Sequence, residues 1–209
     1  MGERTRHRYG AAMISLESQT TTLLVVDLQL GFDEPRWGRR NNPALEQRTA
    51  ELLRAWRAAG RPVIHVKHMS TDPFSPLRPG QRGNEFKPET APLRGEPVIE
   101  KRVNSAFIGT SLEDDLRHAG RRGLVIVGLT TNHCISTTAR MAGNLGFATW
   151  VVSDATATFD RVGPDGVEHP AERIHSIALS DLHGEFATVV DTATVIAALE
   201  VPTSSRRAA

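Results

Sequence analysis

The sequence predicts one three-layer α/β domain: a six-stranded, mainly parallel sheet with helices on both faces. Three observations predict it. Short, β-branched apolar runs alternate with helix-periodic segments along the chain, which is the pattern of parallel strands joined by helical crossovers. Several of these runs are continuously apolar, as in strands buried on both faces. The chain has 209 residues, enough for one sizeable core and short for two.

The first strand is Thr22-Leu-Leu-Val-Val-Asp27. Asn42-Pro43 then offers an N-cap followed by proline in the first helical turn. Leu45, Leu52, Leu53 and Trp56 form the apolar stripe of a helix that runs to Ala59 and stops at Gly60. Pro62-Val-Ile-His-Val-Lys67 is the second strand. Residues 69–97 are rich in proline and glycine and show no period. They predict a long loop, and loops of that length in compact domains usually serve function.

Val98-Ile-Glu-Lys101 is the third strand, with a helix from about Ser111 to Ala119. Leu124 to Leu129 is the fourth, followed by a helix from Ile135 to Leu145. Phe147 to Ser153 is the fifth, and a helix covers roughly Glu168 to Leu182. Ala187-Thr-Val-Val190 is the sixth, and Asp191 caps a last helix to Leu199. Residues 1–18 read as a mobile arm, with Met13 as an alternative start, residues 19–200 as the single domain, and residues 201–209 as a flexible tail.

Composition excludes several classes of function. Lys plus Arg is 25 and Asp plus Glu is 24, a net charge of +1, so general affinity for nucleic acid or an acidic membrane is not expected. One cysteine forms neither an internal disulfide nor a cysteine-based zinc site. With no secretory signal or membrane-length apolar run, a cytoplasmic setting is expected.

In a parallel α/β sheet, ligands sit beyond the carboxyl ends of the strands. Three chemically complementary residues fall there. Asp27 ends the first strand, Lys101 ends the third, and Cys134 follows the fourth at the start of a helix. First-turn N–H groups favour a thiolate. A carboxylate can take the thiol proton and return it to a leaving group, and a lysine can stabilise the anion. Taken singly, each has a plainer reading: a small buried hydrophobe, a turn or cap residue, a solvated strand end. Their placement at one sheet edge joins them.

Four segments, in order, are Leu23-Leu-Val-Val-Asp27-Leu-Gln29, Glu100-Lys101-Arg-Val-Asn-Ser-Ala-Phe107, Val127-Gly-Leu-Thr-Thr-Asn-His-Cys134 and Val152-Ser-Asp154-Ala155. Together they resemble the isochorismatase-like superfamily, in its cysteine hydrolase branch of amidohydrolases. The resemblance implies a Rossmann-like sandwich with strand order 3-2-1-4-5-6. It implies Cys134 as nucleophile, Asp27 as general acid and base, and Lys101 as third member. It also implies a cis peptide between Leu129 and Thr130, which turns the Thr130 N–H, with that of Cys134, into an oxyanion hole. The activity it implies is hydrolysis of a C–N bond in a small amide, ureido or cyclic amide compound. Nicotinamidase-type or isochorismatase-type activity, or a non-catalytic relative that binds a small molecule, stand as alternatives. A homodimer or homotetramer is implied as well.

Nicotinamidases carry a metal beside the pocket. Here the corresponding stretch contains His65 and His68, which three residues' separation on a strand points to opposite faces. No metal or other cofactor is therefore expected. Isochorismate-cleaving members typically lack the cysteine, so Cys134 favours amide chemistry. Candidate substrate-binding residues are Gln29, Phe32, Trp37, Asn104, Phe107 and His133, with Phe74 and Phe86 in the long loop. Arg82 and Glu85 are candidates for a charged substrate; loop anchoring is the plainer reading for the aromatics.

Overall fold

A computed structural model describes Leu16 and residues 20–200. Six strands form the central sheet: β1 (Thr21–Val26), β2 (Val63–His68), β3 (Val98–Lys101), β4 (Gly123–Leu129), β5 (Ala148–Ala157) and β8 (Thr188–Val190). Their order is β3-β2-β1-β4-β5-β8, and every neighbouring pair is parallel. Counting only the sheet's own strands, this is the expected 3-2-1-4-5-6. The additional strands, β6 (Arg161–Val162) and β7 (Glu168–His169), pair as an antiparallel hairpin outside it.

Alternate side chains of each central strand feed two cores. Leu23 and Val25 of β1, with Val125, Val127 and Leu129 of β4, pack against helix α1 (Leu45–Ala58) through Leu52, Leu53 and Trp56, and against α5 (Thr192–Glu200) through Val195. Leu24 and Val26, with Leu124 and Ile126, pack against α2 (Leu112–His118), α3 (Ser136–Asn144) and α4 (Ala171–Leu182). Burial on both faces explains why β1 and β4 read as unbroken apolar runs. Among the described residues no helix is long and apolar enough to cross a membrane.

Several local expectations are corrected. The helix expected from Glu168 starts at Ala171, because Pro170 stands extended at its N-terminus and Glu168–His169 pair with β6. Asn42 does not cap α1. It adopts a positive φ of 46°, and its amide donates to the Ser153 and Thr156 carbonyls of β5, at 2.9 and 2.7 Å. That is where β5 shifts register against β4 between Ile126 and Gly128, freeing carbonyls that need a donor. Asp191 does cap α5, its Oδ1 accepting from the Thr194 N–H at 2.8 Å. Within the stretch read as an arm, Leu16 belongs to the core, only 4% exposed, and its carbonyl accepts from Arg61 Nη1. The rest of that arm and the tail 201–209 lie outside the described residues.

Candidate active site

The strand ends bring the three candidate residues into contact. The chain leaves β1 through Asp27 in a left-handed conformation, φ 55°, uncommon for a residue with a side chain and tolerated best by Asp and Asn. Gln29 N–H then donates to the Asp27 carbonyl at 2.9 Å, closing a tight turn. Beside it, Gly128 has φ 121°, and a Cβ there would lie 1.9 Å from the Val26 carbonyl oxygen. Only glycine lets β4 approach β1 this closely at the site. The Leu129–Thr130 peptide is cis. The chain then makes one π-helical turn, Thr131–Ile135, before α3, so Cys134 lies within the turn that leads into the helix.

Lys101 is the hub. Its Nζ stands 2.6 Å from Asp27 Oδ2, 3.0 Å from His68 Nδ1, 3.2 Å from the Val103 carbonyl and 3.2 Å from Cys134 Sγ. Asp27 and Lys101 are wholly buried, and Cys134 is 7% exposed. Burial alone would push the lysine down, but the adjacent Asp27 carboxylate leads the contacts that outweigh it and hold Lys101 above its usual value. The cysteine departs from the sequence expectation. Burial first, then the adjacent Asp27 charge, push the thiol up to about 12 against the pull of Lys101. The Cys134 sulfur therefore rests as a thiol beside the Asp27 carboxylate, not as a preformed thiolate.

Above Cys134 lies a cavity of about 450 Å³, a size suited to a small organic ligand. Phe32, Trp37, Asn104, Thr130, His133 and Cys134 line it, as expected from the sequence. Phe32, Trp37 and Phe159 cluster with ring centroids 5.3–6.2 Å apart. Cys134 Sγ lies 3.8 Å from Asn104 Oδ1. The His133 ring lies 3.4 Å from Thr130 Oγ1.

Other candidates do not reach the cavity. Gln29 is fully buried and spends its amide on the fold. Its Nε2 donates to the His68 and Asn84 carbonyls, and its Oε1 accepts from the His68 N–H. Phe107 stacks on Phe147 in the core beneath α2. Phe86 packs against His65 and Lys67, and Phe74 is 81% exposed. Arg82 and Glu85 are likewise absent from the lining. His68, weighed from the sequence only as a metal ligand, lines the cavity, and so do Phe159 and Arg161, which the sequence did not single out. His68 carried a signal, since it ends β2 at the same sheet edge. Phe159 and Arg161 follow an irregular extension of β5 that no periodicity marks.

The two histidines on β2 part as expected. His65 Nε2 meets Glu96 at 3.0 Å, while His68 turns to Lys101. Among the described residues, Asp27, His68 and Cys134 form the one trio whose potential ligand atoms gather within 4.8 Å. Lys101 Nζ already touches all three, serving as the cation of that cluster.

Known proteins resemble the chain along most of its length. The family model for the isochorismatase domain matches residues 21–194. An isochorismatase family protein of Bacillus subtilis, YrdC, is 45% identical over 170 residues, covering 81% of this chain and 91% of that protein. An isochorismatase-family structure from Chromobacterium violaceum superposes with a TM-score of 0.87 at 46% identity, covering 90% and 97% of the two chains. A cysteine hydrolase from Pseudomonas syringae superposes with a TM-score of 0.82 at 27% identity, covering 90% and 95%. With its fold, its strand-end residues and this likeness in agreement, the chain belongs to the isochorismatase family of hydrolases.

Proposed function

We propose that the protein is a cysteine-dependent amidohydrolase that cleaves a C–N bond of a small amide, ureido or cyclic amide compound through a thioester. The observation that carries this reading is the contact of the buried Asp27 and Lys101 with Cys134, which lines the cavity. As the Cys134 sulfur bonds to the substrate carbonyl carbon, its proton passes to Asp27. The oxyanion that forms is met by the backbone N–H groups of Thr130 and Cys134. Such a donor is typically worth about 10²–10³ in rate. When the C–N bond breaks, Asp27 returns the proton to the departing nitrogen. Water then attacks the thioester and loses a proton to Asp27. The C–S bond breaks, the acid product leaves, and the proton goes back to sulfur. Lys101 stays protonated throughout and offsets charge on whichever partner is anionic.

More distant relatives support the reaction class. A streptothricin hydrolase of Streptomyces noursei is 30% identical over 170 residues. A ureidoacrylate amidohydrolase of Methylobacterium radiotolerans is 29% identical over 225 residues. An N-carbamoylsarcosine amidase from Thermoplasma acidophilum superposes with a TM-score of 0.65 at 25% identity. The test is amine or ammonia release from a panel of small amides and ureides, with and without chelator, for wild type and Cys134→Ala. Turnover that needs Cys134 and ignores chelator is expected. Chelator-sensitive nicotinamide turnover, or full activity in Cys134→Ala, overturns the proposal.

A further inference from the structure

We propose that Arg161 anchors a carboxylate on the non-reacting arm of the substrate, so that the preferred substrates are amides or ureides of small carboxylic acids. The proposal rests on the hydrolase reading above and narrows it to a substrate class.

Most charged groups around the cavity are already paired. Asp160 lines it but is committed: Arg39 holds its two oxygens at 3.1 and 2.8 Å, and Oδ1 also accepts from the Ala171 N–H at 2.7 Å. Arg36 donates to the Phe74 carbonyl at 2.7 Å and lies 3.3 Å from Glu34. His68 receives a hydrogen bond from Lys101 on Nδ1, which fixes its remaining proton on Nε2 and keeps the ring neutral. Arg161 stands apart: its guanidinium has no ion pair or hydrogen bond among the described residues. The cavity wall therefore presents one uncommitted charge, and it is a cation. Burial and the Arg161 charge both push His133 down, so His133 does not add a second.

Hydrogen-bonding capacity points the same way. The Ser70 and Ser75 hydroxyl oxygens already accept from the Asp72 and Leu77 N–H groups. The free polar capacity is weighted toward donors, namely the Arg161 fork and the His68 Nε2–H. That suits a ligand rich in acceptor oxygens, and a guanidinium fork matches a carboxylate bidentately. The aromatic group of Phe32, Trp37 and Phe159 offers an apolar wall for a short carbon arm. The backbone that carries Arg161 is fixed, paired with His169 in the β6–β7 hairpin. Its neighbour Phe159 stacks within that group, and the Asp160 N–H donates to the Arg39 carbonyl at 2.9 Å. A fixed backbone limits the freedom lost on binding to that of the side chain.

The experiment compares matched pairs, such as succinamic acid against its methyl ester, and an N-carbamoyl amino acid against its methyl ester. For wild type, kcat/KM should favour each acid by about 10- to 100-fold, the usual worth of a charge-assisted hydrogen bond. Arg161→Gln should erase that preference through KM, lowering kcat/KM of the acids far more than that of the esters, and unfold at the wild-type midpoint, since the side chain is exposed. Arg161→Lys should restore part of it. Binding of succinate to the Cys134→Ala protein, measured by calorimetry, should weaken at least about tenfold when Arg161→Gln is added, and should weaken with salt. Equal turnover of acids and esters, or succinate binding unchanged by Arg161→Gln, overturns the anchor while leaving a Cys134-dependent hydrolase intact. Loss of succinate binding in Arg161→Gln, with no panel compound hydrolysed by wild type, keeps the anion site and overturns the hydrolase reading instead.

Discussion

Lys101 Nζ lies 2.6 Å from Asp27 Oδ2, with both side chains wholly removed from solvent. Two buried charges at this distance depend on each other, because neither has water to fall back on. Lys101→Met should lower unfolding free energy by about 3–5 kcal/mol, since Asp27 is left unpaired. Adding Asp27→Asn to Lys101→Met should recover part of the loss. Urea titrations of the two single variants and the double variant measure this coupling. Strictly additive losses would show the pair to be independent.

Cys134 should titrate far above an ordinary thiol, near 12, because burial and the Asp27 charge favour its neutral form. The thiolate ultraviolet absorbance, taken as a difference against Cys134→Ala, reports this. Asp27→Asn should shift the titration down and Lys101→Met should shift it up. A wild-type thiol that ionises near neutrality would contradict the resting state inferred above. Cys134→Ala itself should reduce kcat by about 10⁴-fold or more.

Gln29 tests support against substrate contact. Its amide ties the ends of β1 and β2 to the Asn84 loop. Gln29→Ala leaves the buried His68 and Asn84 partners unsatisfied and should cost about 1–3 kcal/mol of stability. If Gln29 instead touched substrate, the variant would raise KM at unchanged thermal midpoint.

Gly128→Ala should be among the more damaging small substitutions. It demands φ 121° of a residue with a Cβ and drives that atom to 1.9 Å from the Val26 carbonyl. A loss of about 3 kcal/mol is expected from backbone strain of this kind, read from the urea midpoint. A shift of a few tenths would mean that β4 can move away from β1.

Acid should destabilise the fold through two carboxyls, Glu46 in the first turn of α1 and Glu96 just before β3. Burial would raise Glu46, but Arg40 and Lys87 hold it down to about 2. Burial would raise Glu96 too, but Arg57, the Leu93 N–H and His65 hold it at about 2. Both folded values lie below the ordinary 4.5. Their stabilisation is therefore complete above 4.5 and is lost as pH falls from there through about 2. Each should contribute on the order of 1–2 kcal/mol. Thermal midpoints of Glu46→Gln and Glu96→Gln across pH 7 to 3 should fall less than wild type.

The strand runs of β1 and β4, the sheet edge they end on, and the meeting of Asp27, Lys101 and Cys134 there were legible in the sequence. Strand periodicity and the rule that ligands gather at carboxyl strand ends depend on local order and chirality, both of which the chain carries residue by residue. The protonation state of Cys134 was not legible. Local helix geometry argues for a thiolate, yet burial of the sulfur, and then the carboxylate arriving from β1, reverse the balance. Nor could the sequence separate Gln29, turned inward to brace β2, from Trp37, turned to the cavity. Loop residues carry no period, and their direction is settled by which buried carbonyls need a donor. Sequence alone determined the fold and brought Asp27, Lys101 and Cys134 to one sheet edge. Tertiary structure decided which loop side chains face the cavity and which charges there remain uncommitted, because those depend on partners far apart in the chain.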